Sequence, residues 1–187
     1  MSRSDALVGY PLFLNLQGQR CLVFGGGKVA ARKIQALLKR GANVICISKD
    51  FCKPLKKWRA NGTSLRLKES SLVLTPASGL RRLDGALRKD EWKGARLVVA
   101  ATSDRDFNAR VAQACRRLKI WVNVVDDPAL CDFYVPAVVE KGPLQIAIST
   151  GGTSPLFARR LREELEKVIP SSAGRLLEKL GRIRRHR

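Results

Sequence analysis

Short continuous apolar runs alternate along the chain with stretches in which apolar residues recur every three or four positions. Cys21, Leu22, Val23 and Phe24 form one such run, ending at Gly25, Gly26 and Gly27, and read as a buried strand. Val29, Ala30, Ile34, Leu37 and Leu38 then follow helical spacing, with Lys33, Lys39 and Arg40 on much of the other face and Gly41 where a left-handed cap is expected. Residues 43–48 are a second, β-branched apolar run, so this stretch predicts a βαβ unit with parallel strands and a right-handed crossover. Residues 58–71 read as a helix end and a weaker strand carrying Leu65, Leu67 and Leu72, and residues 75–94 are polar, basic and rich in turn formers. Residues 95–102 and 120–125 are buried strands. Between them 106–118 predicts an amphipathic helix with Phe107, Val111, Ala114, Cys115 and Leu118 on one face. The alternation is that of a doubly wound α/β sheet.

After about residue 132 the pattern changes. Two β-rich runs, 133–139 and 144–149, flank Gly142 and Pro143 and predict a hairpin rather than another βαβ unit. A helix to about Ile169 follows, with Ser154 as N-cap and Pro155 in its first turn, Phe157, Leu161, Leu165 and Val168 on one face, and Glu163 with Lys167 as an i,i+4 pair. Pro170 stops it, and 174–185 predict one more short basic helix.

Length and composition narrow the class. A chain of 187 residues fits one domain with a small appendage and buries a core without staples. The net charge is +20, with +6 in residues 1–52, +8 in 53–96, +1 in 97–170 and +5 in 171–187. Such an excess attracts an anionic partner: nucleic acid, a membrane surface or an acidic small molecule. The basic tail is short and lacks interleaved aromatics, so no nucleic-acid partner is expected. No apolar run is long enough to cross a bilayer and the first twenty residues lack signal-peptide features, so no membrane association and a cytoplasmic location are expected. Cys21, Cys46, Cys52, Cys115 and Cys131 are scattered, as for reduced thiols, and no permanent metal site is expected. The single histidine, His186, excludes mechanisms built on a histidine base within the fold.

Three constellations could carry chemistry. Gly25, Gly26, Gly27, Lys28, Val29 and Ala30 form G-x-G-x-x-A between strand and helix: a glycine for the tight turn, one for close approach of a pyrophosphate, and a small residue for helix–strand packing. After the second strand, Asp50 suits a ribose 2′-OH and hence NAD, whereas Ser48 and Lys49 suit a 2′-phosphate and hence NADP. Asn123 lies in the strand that delivers Asp126 and Asp127 at its carboxyl end, where a general acid–base, a metal-holding carboxylate or a plain Asp-Pro turn all fit. Residues 149–155, with Thr150, Gly151, Gly152, Thr153 and Ser154, read either as an anion cradle before a helix or as simple capping.

Four motifs in fixed order, LVFGGGKVAARK (22–33), LVVAATSDRDFN (97–108), VNVVDDPALCDFYVPAVV (122–139) and LQIAISTGGTSPLFARRLREELE (144–166), resemble the precorrin-2 dehydrogenase and sirohydrochlorin ferrochelatase family, the N-terminal module of siroheme synthases, over roughly residues 10–170. The resemblance implies a Rossmann-like NAD-binding domain (1–132), strands and a helix that interlock two chains as a homodimer (133–169), and a short basic helical tail (170–187). It implies oxidation of precorrin-2 to sirohydrochlorin by NAD⁺, and in many members insertion of Fe²⁺ as a substrate. Carried onto matching positions, it implies cofactor contacts at Gly25, Gly26, Gly27, Lys28, Val29, Lys49, Asp50, Thr102 and Ser103. The local setting, rather than the resemblance, makes Asn123 and Thr150, Gly151, Gly152, Thr153 and Ser154 the candidate substrate or anion contacts. The acid used in both reactions, and a transient Fe²⁺ contact, falls on Asp126. Thr150 matches a serine that is phosphorylated in some relatives. The chain departs from the family in a longer, more basic 75–94 and in the brevity of the segment after Pro170. Other readings are a dehydrogenase without chelatase activity, an unrelated NAD(P) oxidoreductase and a regulatory module.

Overall fold

Among the described residues the continuous apolar runs and the weaker stretch at 65–69 become five strands, β1 (Arg20–Phe24), β2 (Asn43–Ser48), β3 (Leu65–Glu69), β4 (Ala95–Ala100) and β5 (Trp121–Val124). The computed structural model describes residues 9–69 and 92–185. The strands form one sheet in the order β3-β2-β1-β4-β5, every pair parallel. Among the described residues three helices accompany them: α1 (Lys28–Leu38), α2 (Lys53–Ala60) and α3 (Arg105–Leu118). Both faces of the sheet are covered at β1, β2 and β4, which is why these strands read as unbroken apolar runs. Cys21, Val23, Val44, Cys46, Leu97 and Val99 pack with Ala30, Ile34 and Leu37 of α1 and Leu55 of α2. Leu22, Phe24, Val98 and Ala100 face the other way, against Phe107, Val111 and Cys115 of α3. Phe24 meets Phe107 edge to face at 5.6 Å. Each large side chain removed from water here contributes about 1.5–3 kcal/mol.

Helix ends follow their residues. Gly41, at φ +72°, closes α1: Ala42 N–H donates to the Leu37 carbonyl at 3.2 Å and Gly41 N–H to Leu38 at 2.9 Å. Asp104 caps α3 by accepting from Phe107 N–H at 2.9 Å. The polar stretch 75–94 falls mostly outside the described residues, as does Leu72.

Residues Phe13–Tyr134 form one compact unit, and Val135–Arg187 with Met1–Leu12 form another. In the second, the hairpin joins β6 (Ala137–Lys141) to β7 (Leu144–Ile148), antiparallel, with Gly142 at φ +59° in the turn. The first strand starts later than its pattern suggests. Residues 133–136 are not strand, because Phe133 packs into the core of the parallel-sheet unit and its carbonyl accepts from Asn123. Helix α4 (Pro155–Val168) lays Ala158 and Leu165 on Val139 and Ile148. Its expected apolar face divides: Leu165 packs, while Phe157 and Val168 are exposed. The expected Glu163–Lys167 pair is replaced, since Arg159 (2.9 Å) and Arg162 (3.2 Å) take Glu163, and Lys167 reaches Glu164 at 2.7 Å. Such exposed pairs stabilise little. Helix α5 (Ser172–Arg185) completes the unit, and its Gly174 crosses the hairpin turn so closely that a Cβ there would stand 2.6 Å from the Lys141 carbonyl oxygen.

Candidate functional site

In a parallel sheet with this order, the direction in which successive strands are added reverses between β1 and β4, so the loops leaving their carboxyl ends diverge and open a crevice. The turn after β1 is at that point. Gly25 adopts φ +109°, and a Cβ on it would overlap the Ala101 carbonyl oxygen at the end of β4. A Cβ on Gly26 would overlap the Asp50 carbonyl oxygen beyond β2, and the Gly26 carbonyl accepts from Cys52 N–H at 2.8 Å. Gly27 differs: it is exposed, its φ of −81° suits any residue, and nothing lies within 4 Å of where its Cβ would be. It is the N-cap of α1 and makes no side-chain cap, so the first-turn amides of Lys28, Val29 and Ala30 lack that partner. Ala30 is fully buried against the sheet. Two glycines are thus required by the fold, and the third leaves open space over a helix N-terminus, the geometry a pyrophosphate occupies.

Beyond β2, Ser48 is half-buried and Lys49 and Asp50 are exposed. Asp50 accepts from Phe51 N–H at 2.7 Å and from Lys56 Nζ at 3.2 Å. The Phe51 amide first, then Lys56, holds its carboxyl below the ordinary range, so Asp50 stays ionised. Thr102 and Ser103 leave β4. Thr102 Oγ1 donates to Asn108 Oδ1 at 2.7 Å, and Asn108 Nδ2 donates back to the Thr102 carbonyl at 3.0 Å. Asn108 is 4% exposed and was not expected from the sequence; its signal is an amide within the buried stripe of α3.

At the end of β5, Asn123 is buried and Asp126 is exposed, with Asp126 at φ +60°. Asn123 Nδ2 is committed to the Phe133 carbonyl at 3.0 Å and to Cys131 Sγ at 3.4 Å, while its Oδ1 is buried without a partner. Both donors of this amide are therefore spent within the protein. Two more residues missed by sequence reasoning frame Asp126. Cys131 bonds back to β5. Lys33 of α1 is half-buried and senses Cys131 and Asp126; burial pushes its ammonium below the usual lysine value, and those two groups oppose that shift. The turns after β1, β2, β4 and β5 thus share the carboxyl edge of one sheet.

Residues 150–154 belong to the other unit. There Gly151 N–H donates to Ser149 Oγ at 3.2 Å, Ser154 N–H to Thr150 Oγ1 at 3.1 Å, and Phe157 N–H to the N-cap Ser154 Oγ at 3.2 Å. Thr153 N–H bonds the Thr150 carbonyl at 3.1 Å. Most of this loop's donors are spent on capping. Among the described residues no group of three His, Cys, Asp or Glu side chains is arranged to hold a metal ion, and no helix is long and apolar enough to cross a membrane.

Comparison with known proteins adds to this geometry. The NAD(P)-binding family model NAD_binding_7 matches residues 12–137, and that of the sirohaem biosynthesis protein central region matches 141–167. The siroheme synthase of Methylobacillus flagellatus is 42% identical over 166 residues, 89% of this chain and 32% of that protein. That of Xylella fastidiosa is 44% identical over 167 residues, again 89% and 32%. The chain spans about a third of the length of these relatives. Among solved structures, SirC, a precorrin-2 dehydrogenase, superposes with a TM-score of 0.73 at 27% identity, covering 94% of this chain and 79% of that one.

Proposed function

The chain belongs to the precorrin-2 dehydrogenase family, the NAD(P)-binding module of siroheme synthases, and from that premise we propose that it oxidises precorrin-2 to sirohydrochlorin. The observation that carries the proposal is one sheet edge bearing both an open glycine turn over a helix N-terminus and an exposed aspartate. Gly25 and Gly26 shape the turn, the Gly25 amide being spent on the Ile47 carbonyl at 2.9 Å, so the backbone amides of Gly27, Lys28 and Val29 hold the pyrophosphate, and Thr102 and Ser103 line the crevice beyond β4. Asp50, kept ionised, accepts from an adenosine ribose 2′-OH and repels a 2′-phosphate, which favours NAD over NADP. NAD⁺ bound there supplies the acceptor for the hydride that leaves the macrocycle.

A proton must leave with that hydride. Asp126 takes it at its carboxylate, and its exposure on the turn leaves both oxygens accessible. The substrate is a polycarboxylate, and Lys28, Lys33 and Lys49 at the same edge attract it. The chain works as a cytoplasmic homodimer through the second unit, where Phe157, Leu161 and Val168 leave α4 exposed in the single chain, at 59%, 38% and 76%. It acts without nucleic acid. Fe²⁺ enters as a second substrate, with Asp126 accepting the pyrrole protons it displaces.

Anaerobic incubation with precorrin-2 and NAD⁺, followed by absorbance, tests the reading. Wild-type protein yields the sirohydrochlorin spectrum faster with NAD⁺ than with NADP⁺, and siroheme on addition of Fe²⁺. Asp126→Ala keeps NAD⁺ affinity and loses sirohydrochlorin formation; wild-type turnover in that variant sinks the assignment. Siroheme forming no faster than in buffer removes the chelatase alone, and a sedimenting mass near 20.7 kDa removes the dimer.

A further inference from the structure

Among the described residues β5 is the last strand of its sheet, with one rim paired with β4 and no strand on the other. That outer rim is filled by two consecutive residues, Cys131 and Asp132. Val122 N–H donates to Asp132 Oδ2 at 3.0 Å, and Asp132 N–H returns a bond to the Val122 carbonyl at 2.8 Å. Val124 N–H donates to Cys131 Sγ at 3.1 Å, and the thiol donates to the Val124 carbonyl at 3.1 Å. The same sulfur lies 3.3 Å from the Asp127 carbonyl oxygen. A thiol has one hydrogen, so Cys131 shares it between two carbonyls, Val124 and Asp127, which bracket Val125 and Asp126.

Within the turn between those carbonyls, Val125 N–H donates to the Ala100 carbonyl at 2.9 Å and ties its start to β4, while Asp126 and Asp127 lie beyond that tie. The turn's own closing contact, Asp127 N–H to the Val124 carbonyl, is 3.5 Å long. Asp126 takes φ +60°, a left-handed conformation that costs a non-glycine residue about 1–2 kcal/mol. Such a conformation persists only where its surroundings over-determine it.

We propose that Cys131 is a positioning residue: its thiol, together with the Asp132 carboxylate, clips the turn that carries Asp126 onto the rim of β5 and fixes where the Asp126 carboxylate stands. The proposal rests on the reading of Asp126 as proton acceptor. Burial pushes the Cys131 thiol up, which keeps the hydrogen on sulfur that the clip needs.

Steady-state rates with precorrin-2 and NAD⁺ test it. Cys131→Ser keeps a donor and an acceptor and holds kcat within about threefold of wild type. Cys131→Val keeps the volume but makes neither bond, and lowers kcat about tenfold or more while KM for precorrin-2 and Kd for NAD⁺ stay within about twofold, since a small misplacement of a reacting group is costly. Should the valine variant not fold, Asp132→Ala, at an exposed position, carries the same test with the same split. Wild-type kcat in the valine variant, or equal losses in kcat and NAD⁺ affinity in both the serine and valine variants, overturns the proposal. If Asp126→Ala is inactive while Cys131→Val is normal, only the positioning role falls. If Asp126→Ala turns over normally, the Asp126 reading falls and takes this one with it.

Discussion

Gly26 and Gly27 are neighbours with different reasons for being glycine. A methyl group on Gly26 would overlap the Asp50 carbonyl oxygen and approach Ser48 Oγ to 2.9 Å, whereas one on Gly27 would meet no protein atom. Gly26→Ala is expected to lose about 1–3 kcal/mol of stability, as overpacking does, seen as a fall in Tm. Gly27→Ala is expected to keep Tm and, if the proposed pyrophosphate site lies over this turn, to weaken NAD⁺ binding about tenfold. Thermal melts and NAD⁺ titration of both variants check the contrast. Gly25 and Ala30 were legible in the sequence because a tight turn after a strand and a small residue on the inner face of the next helix are local patterns. The middle glycine was not, since the carbonyl it must clear belongs to the loop beyond β2. The same holds for Thr102, whose position could be read but whose partner Asn108 could not.

Among the elements, α5 and the β6–β7 hairpin depend on a backbone-to-backbone crossing. Gly174 brings α5 within contact of Lys141 and Gly142, leaving no room for a side chain. Gly174→Ala is expected to push the helix off the turn, costing about 1–3 kcal/mol, with faster hydrogen exchange along α5 and unchanged exchange in β1 and β4. Uniform protection in both regions would contradict it. The helix and the hairpin were each legible, from amphipathic spacing and from Gly142 and Pro143, but a contact made through glycine leaves no apolar pattern to read. The start of β6 was overestimated for a related reason: Phe133 looks like a strand residue, yet it is claimed by a different core.

For the whole molecule, the doubly wound arrangement was legible because both faces of the sheet are buried at its centre, which forces unbroken apolar runs in β1, β2 and β4, whereas the edge strand β3 alternates and read more weakly. The net charge of +20 was less informative, since the segment containing Asp126 is nearly neutral. Three thiols inside the parallel-sheet unit add a dependence on pH. Burial raises Cys21 from 9.0 to about 11, and Cys46 and Cys115 to about 12. The unfolded chain releases these protons above pH 9 while the native one retains them, so their contribution is present below about pH 9 and is lost as pH rises towards 12. Tm should therefore be level to about pH 8.5 and fall beyond it. Replacing Cys46 and Cys115 by alanine should make the fall shallower; an unchanged slope would count against this account. The rim of β5 has a consequence at this scale too. A bare terminal strand invites another chain to add to it and so begins aggregation. Here the side chains of Cys131 and Asp132 already occupy that rim, so oxidation or alkylation of a single sulfur would convert a closed border into a sticky one.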